Sequence, residues 1–231
     1  VSIYASFGEF PSEWVIETEA ATGSRDFELL GVESLPQATY RAGGLRPADR
    51  VTLPLVQDPT RDNPFDGGEG TRTLLFGVPQ NALWFHAETL ISPAEDVDLF
   101  VGLDSDGDGL AEESELVCAS TTPDDIEFCD LFEPVAGTWW VVVQNWDDGT
   151  SGSPEQDVIF ESVVIAQTDD SQLIATGPGI TATFEPVDVR LSWEDVAAGP
   201  QTALYGAVGI GSRRDAGADA GVIPVRIQRT D

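Results

Sequence analysis

Asp104, Asp106, Asp108, Gly109 and Glu115 stand at the spacing D-x-D-x-D-G-x5-E, the twelve-residue pattern of a calcium-binding loop. Calcium takes roughly six to eight hard oxygen ligands, so one short loop must turn several carboxylates inward. Gly109 permits the sharp turn, Leu110 can offer its carbonyl, and Glu115 can bind through both oxygens. Glu112 falls at the ninth position, where a ligand often acts through water. The competing reading is a solvated acidic turn in a strongly acidic chain. The register of Gly109 and Glu115 with the three aspartates favours calcium. A helical EF-hand is not expected, because Leu99 to Leu103 reads as a strand and Leu116 to Ala119 is too short for a helix. A second group, Asp58, Asp62, Asn63 and Asp66, lies in the Pro- and Gly-rich segment 57–68. It either builds another cation site or caps turns through its own side chains.

No catalytic constellation emerges. A serine nucleophile needs a base and an oriented acid, yet His86 is the only histidine and sits in an alternating strand. It reads as a strand residue with a satisfied hydrogen bond. No G-x-S-x-G turn and no phosphate-cradling glycine loop is present. Paired carboxylates could hydrolyse glycosides, but with 41 acidic residues any separation arises by chance. Cys118 and Cys129 form an even, closely spaced pair that suggests a disulfide and an oxidising compartment. Two free buried thiols are the alternative, and a zinc site lacks the further ligands it needs. Trp14, Trp84, Trp146 and Tyr205 are candidate contacts for a bound protein, with burial in the core as the competing role.

The 11 basic residues are all arginine, and against 41 acids they leave a net charge of -30. Such a surface repels phosphate backbones and anionic lipid, so neither nucleic acid nor membrane is an expected partner. High acidity without lysine suits either high salt, as in halophilic proteins, or alkaline surroundings, where arginine keeps its charge. No apolar run is long enough to span a bilayer. The chain shows no leader and does not begin with Met, so a fragment processed or cut from something larger is expected.

The elements around the acidic loop read as β throughout, with no sustained helical period. Strands are expected at Val1 to Phe7, Trp14 to Thr18, Phe27 to Val32 and Thr39 to Arg41. Thr73 to Val78, Leu83 to Ile91, Leu99 to Leu103, Glu115 to Cys118, Ile126 to Leu131, Thr138 to Trp146 and Val158 to Gln167 follow. The last three are Val187 to Trp193, Ala203 to Ile210 and Val222 to Ile227. Thr138 to Trp146, TWWVVVQNW, is apolar on both faces and is expected to be central. Residues 51–167 supply enough strands for a jelly-roll-like sandwich. Residues 1–50 and 168–231 are each too short for a full module. They either pair into one sandwich around the middle domain or stand as two small domains.

The run DVDLFVG, a Cys-containing strand, EFCDL and PVAGTWWVVVQNW resembles the bacterial pre-peptidase C-terminal domain. That domain is a calcium-associated β-sandwich that follows the catalytic domain of secreted peptidases. The flanks, VQDPTRDNPFDGG and TGPGITATFEPVDVRLSWEDV with the later YGAVGIG and GVIPVRI, resemble the C-terminal region of subtilisin-like serine peptidases. The likeness covers most of residues 40–231, and its last block resembles part of a fibronectin-III-like module. It implies calcium near Asp98 and the acidic loop, secretion, and a parent peptidase whose catalytic domain lies elsewhere. The expected role is accessory: binding insoluble protein such as collagen, or aiding secretion or stability. The alternative is a calcium-dependent adhesion or carbohydrate-binding module of a cell-surface protein.

Overall fold

A strand that is apolar on both faces must be covered on both. The computed structural model describes residues 10–149, 155–168, 171–196 and 203–230, and it shows how that cover is supplied. These residues form an all-β protein. In chain order its strands are β1 (Trp14–Thr18), β2 (Gly23–Leu29), β3 (Thr39–Arg46), β4 (Asp49–Leu55) and β5 (Thr71–Val78). There follow β6 (Ala82–Thr89), β7 (Asp96–Leu103), β8 (Leu116–Ser120), β9 (Phe128–Phe132) and β10 (Gly137–Asp147). The last are β11 (Gln156–Ala166), β12 (Leu173–Thr176), β13 (Val187–Trp193), β14 (Ala203–Gly211) and β15 (Gly221–Arg229). A 3₁₀ turn, Glu113–Glu115, precedes β8. No helix among the described residues is long and apolar enough to cross a membrane.

Residues 49–80 and 85–164 make one unit. Its sheets have the orders β5-β10-β7-β8 and β4-β11-β6-β9, the interleaving of a jelly-roll sandwich. β10 lies between β5 and β7, antiparallel to both, with Val141 opposite Leu74 on one side and Val101 on the other. Side chains alternate across a strand. Trp139 turns inward, its ring 6.3 Å edge-on from Phe85 of the other sheet. Trp140 and Val142 turn outward and pack with Phe100, and Phe65, Ala111 and Leu116 close over them. The linker-like segment and the acidic loop therefore lie on the outer face of β10 as cover. Trp140 is fully buried there, and truncating such a side chain to Ala costs roughly 3–5 kcal/mol.

Residues 1–48, 81–84 and 165–231 make the other unit. Its sheets are β1-β15-β14-β3 and β12-β13-β2, a four-on-three sandwich of the architecture shared by immunoglobulin and fibronectin-III modules. β1 runs parallel to β15, from Trp14 opposite Val225 to Thr18 opposite Arg229. β2 is antiparallel to β13, and β3 to β14. Ile16, Leu29, Leu35, Leu173, Leu191, Ile210 and Ile223 fill the interior. The two ends of the chain thus share one core.

Several local expectations shift. The strand expected at Val1 to Phe7 lies outside the described residues. β2 starts at Gly23 and ends at Leu29, so Leu30 to Val32 lie beyond it. β3 runs on past Arg41 to Arg46, carrying Gly43 and Gly44 inside the strand, where Gly43 bridges Gln167. The domain edges move to Asp49 and Val164, and residues 81–84 join the unit of the chain ends.

Candidate metal centre

The acidic loop leaves the end of β7 and returns at β8. One ligand oxygen from each of Asp104, Asp106 and Asp108 lies within 4.8 Å of the others. Backbone hydrogen bonds curl the loop to that shape. Gly107 and Gly109 donate to the two oxygens of Asp104 at 2.8 and 3.2 Å, and Asp108 donates to Asp106 Oδ1 at 3.1 Å. Leu110 donates to Asp108 Oδ1 at 2.8 Å while its side chain stays exposed. Gly109 has φ of 75°, a conformation that side chains with a Cβ rarely adopt, so this position selects Gly.

Glu115 departs from the pattern. It is not among the converging carboxylates. Its Oε1 accepts from Ser105 N and Oγ at 2.5 and 2.8 Å, and its Oε2 accepts from Trp140 Nε1 at 2.9 Å. The Trp140 indole, followed by the Ser105 donors, holds this buried carboxyl below its usual pKa, so it stays ionised. Its work in this arrangement is to pin the loop to the sheet. The close packing needs Gly102, because a Cβ there would meet Trp140 Cζ2 at 2.0 Å and the Glu115 carbonyl at 2.6 Å. Glu112 stays exposed, with one oxygen accepting from Ser114 Oγ at 3.3 Å. Ser105 and Trp140 were not singled out in the sequence. Only the placement of Trp140 directly opposite Gly102 reveals them.

The donor set Asp104, Asp106 and Asp108 is hard oxygen throughout and matches calcium chemistry. The second acidic group behaves otherwise. Asp58 is buried, with Oδ1 accepting from Thr60 N and Oγ1 and Oδ2 from Gln144 Nε2. Asp66 accepts from Thr60 Oγ1 and Gly68 N. These bonds are the turn-capping alternative. Asp62 lies on the same loop. Asp98 is buried on β7, away from the loop.

The cysteines are joined: Cys118 and Cys129 form a disulfide with Cα atoms 6.2 Å apart. Two of the aromatic contact candidates are corrected. Trp14 is buried, stacked on Phe27 at 4.6 Å, and Trp84 is buried with its ring 6.1 Å from Tyr205. Trp14 faces the core of the chain-end sandwich, whereas Trp84, next to the inward-facing Phe85 on β6, turns to the other face of that strand, against Tyr205. Trp146 and Tyr205 are half-buried, and the Arg61 guanidinium sits 4.7 Å over the Trp146 ring.

No protein-family model matches the chain. No curated protein matches it. Among solved structures it is similar to tripeptidyl peptidase 2 (TPP II), with 10% identity and a TM-score of 0.34, over 97% of this chain and 20% of that one. The M60 catalytic domain of Clostridium perfringens ZmpB with its CBM51-1 and CBM51-2 domains gives 13% identity and a TM-score of 0.28, over 84% and 22%. A GH2 beta-galacturonidase from Eisenbergiella tayi gives 9% and 0.25, over 96% and 44%. The chain spans a fifth of the first and under half of the other two.

Proposed function

We propose that this chain is a non-catalytic accessory region of a secreted subtilisin-like serine peptidase, a β module stiffened by calcium. It supports binding of insoluble protein, secretion or stability, while a catalytic domain elsewhere in the parent protein does the cutting. The family part of this reading rests on the sequence resemblance, whose most specific segments fall on β7 and β10. The observation that carries the calcium part is the convergence of Asp104, Asp106 and Asp108 within 4.8 Å. These three would hold the ion, with the Leu110 carbonyl and water, while Glu115 keeps the loop seated on Trp140. Calcium supplies the positive charge that offsets three crowded carboxylates, and it performs no chemistry. The unfolded chain cannot gather these ligands, so binding adds to folding stability. The gain is about 2.7 kcal/mol when free calcium is one hundred times the dissociation constant.

Thermal unfolding in millimolar calcium, in magnesium and in chelator tests this. Calcium should raise the melting temperature, magnesium should raise it less, and Asp106→Ala should match the parent in chelator but fall below it in calcium. Equal melting of the parent in chelator and calcium would leave the loop a solvated acidic turn. A pull-down on insoluble collagen, casein or gelatin beside polysaccharides tests the accessory role. Retention on polysaccharide alone would move the reading to an adhesion or carbohydrate-binding module.

A further inference from the structure

The opposite end of β7 from the acidic loop carries a set of oxygens with no donors among the described residues. Asp98 of β7 faces Gln144 of β10 directly across the ladder, and partners so placed send their side chains to the same face. Asp98 is 8% exposed and Gln144 0%. Gln144 Nε2 is committed, donating to Asp58 Oδ2 at 2.6 Å and to the Arg61 carbonyl at 3.0 Å. That fixes the amide orientation and leaves Oε1 buried with no donor among the described residues. Asp96 lies two residues before Asp98, on the same face of the strand. Its Oδ1 is also buried without a donor. No hydrogen bond from a described residue reaches the Asp98 carboxylate.

The surroundings deepen the deficit. Glu127 adds negative potential at both Asp96 and Asp98, and Asp147 and Asp124 add it at Asp96. Among the described residues the positive group acting on Asp96 is Arg61, which already pairs with Asp147 at 3.4 Å. Glu127 is itself buried, with its oxygens taken by Ser120 Oγ and Thr122 N and Oγ1. Burying acceptors and carboxylates without donors is costly unless a counter-charge completes them.

We propose that Asp96, Asp98 and the Gln144 Oε1 amide oxygen form a second hard-cation site, selective for calcium and separate from the acidic loop. Two carboxylates and an amide carbonyl are calcium ligands, and calcium accepts such a mixed set more readily than magnesium, which demands a strict octahedron and keeps its waters. Glu127 keeps its own hydrogen bonds and contributes field without ligation. Asp98 and Asp104 are about 20 Å apart along an extended strand, so one ion cannot serve both places.

The test is calcium titration calorimetry on the whole chain at mildly alkaline pH, with melting curves in calcium and in chelator. The parent should bind two calcium ions, Asp106→Ala one, and Asp98→Asn one. Asp96→Asn should repeat the loss seen with Asp98→Asn. Asp98→Asn keeps the shape and removes an uncompensated charge, so in chelator it should melt above the parent while gaining less from calcium. Unchanged stoichiometry in Asp98→Asn would overturn the proposal. A single site lost in Asp98→Asn but kept in Asp106→Ala would sustain this site and remove the loop reading. The reverse pattern would remove this one.

Discussion

His86 sits on β6 with Nδ1 2.8 Å from Asp130 Oδ1 and Nε2 3.4 Å from Glu88 Oε2. Burial alone would push its pKa down, but the hydrogen bonds and charges of Asp130 and Glu88 outweigh it and raise the ring to about 9. The folded pKa exceeds the unfolded value of about 6.5, so the ring's stabilisation is whole below that pH and is lost as pH rises through about 9. Its size is on the order of 3 kcal/mol. Urea unfolding of the parent and His86→Gln should show a parental advantage near pH 6 that shrinks steadily toward pH 10. An advantage that stays constant would mean the ring is neutral throughout. A satisfied strand histidine was legible in the sequence, but Asp130 as its partner was not, because strand order alone brings β9 beside β6. The acidic loop was legible because its residues are neighbours in sequence. Glu115 sat at the right number yet turned to Trp140, a contact that no local spacing encodes. Gln144 opposite Asp98 needed the register of β7 on β10. Its one sequence signal was a pair of acids, Asp96 and Asp98, alternating on an otherwise apolar strand.

β8 and β9 belong to different sheets of the jelly roll, and the Cys118–Cys129 bridge ties their edges together. Closing a loop of about a dozen residues removes unfolded-state entropy worth roughly 3 kcal/mol. Denaturant unfolding with and without reductant should show a loss near that size. No loss would mean that sheet packing alone fixes the two edges. The long strands were legible from pattern, β10 most clearly, because its double-sided apolarity reflects real cover on both faces. β4 and β12 were missed for physical reasons. β4 carries Pro54, which reads against a strand, but β4 is an edge strand paired only with β11 and tolerates the missing donor. β12 is four residues long at the edge of its sheet, too short for its alternation to stand out.

At the scale of the whole molecule, a net charge of -30 acts against the folded state through self-repulsion. Salt screens such repulsion over about 8–10 Å at physiological strength and over less near molar. Melting temperature should therefore climb from low millimolar to near molar salt, measured in chelator to keep calcium out of the comparison. A flat or falling trend would refute an adaptation to salt. The all-β class was legible from strand length and turn chemistry. The joining of the chain ends was open in the sequence, because β1, β2 and β3 find partners in β15, β13 and β14 that no nearby residue announces. That pairing also sets an order of assembly. During synthesis the jelly-roll strands all emerge before β12 to β15, so that unit can close while β1 to β3 still wait with their apolar faces uncovered. Ribosome stalling or premature termination would leave those faces exposed. Folding of β1 to β3 thus waits on β13 to β15, and a chain interrupted before those strands keeps uncovered apolar faces that chaperones and proteases recognise.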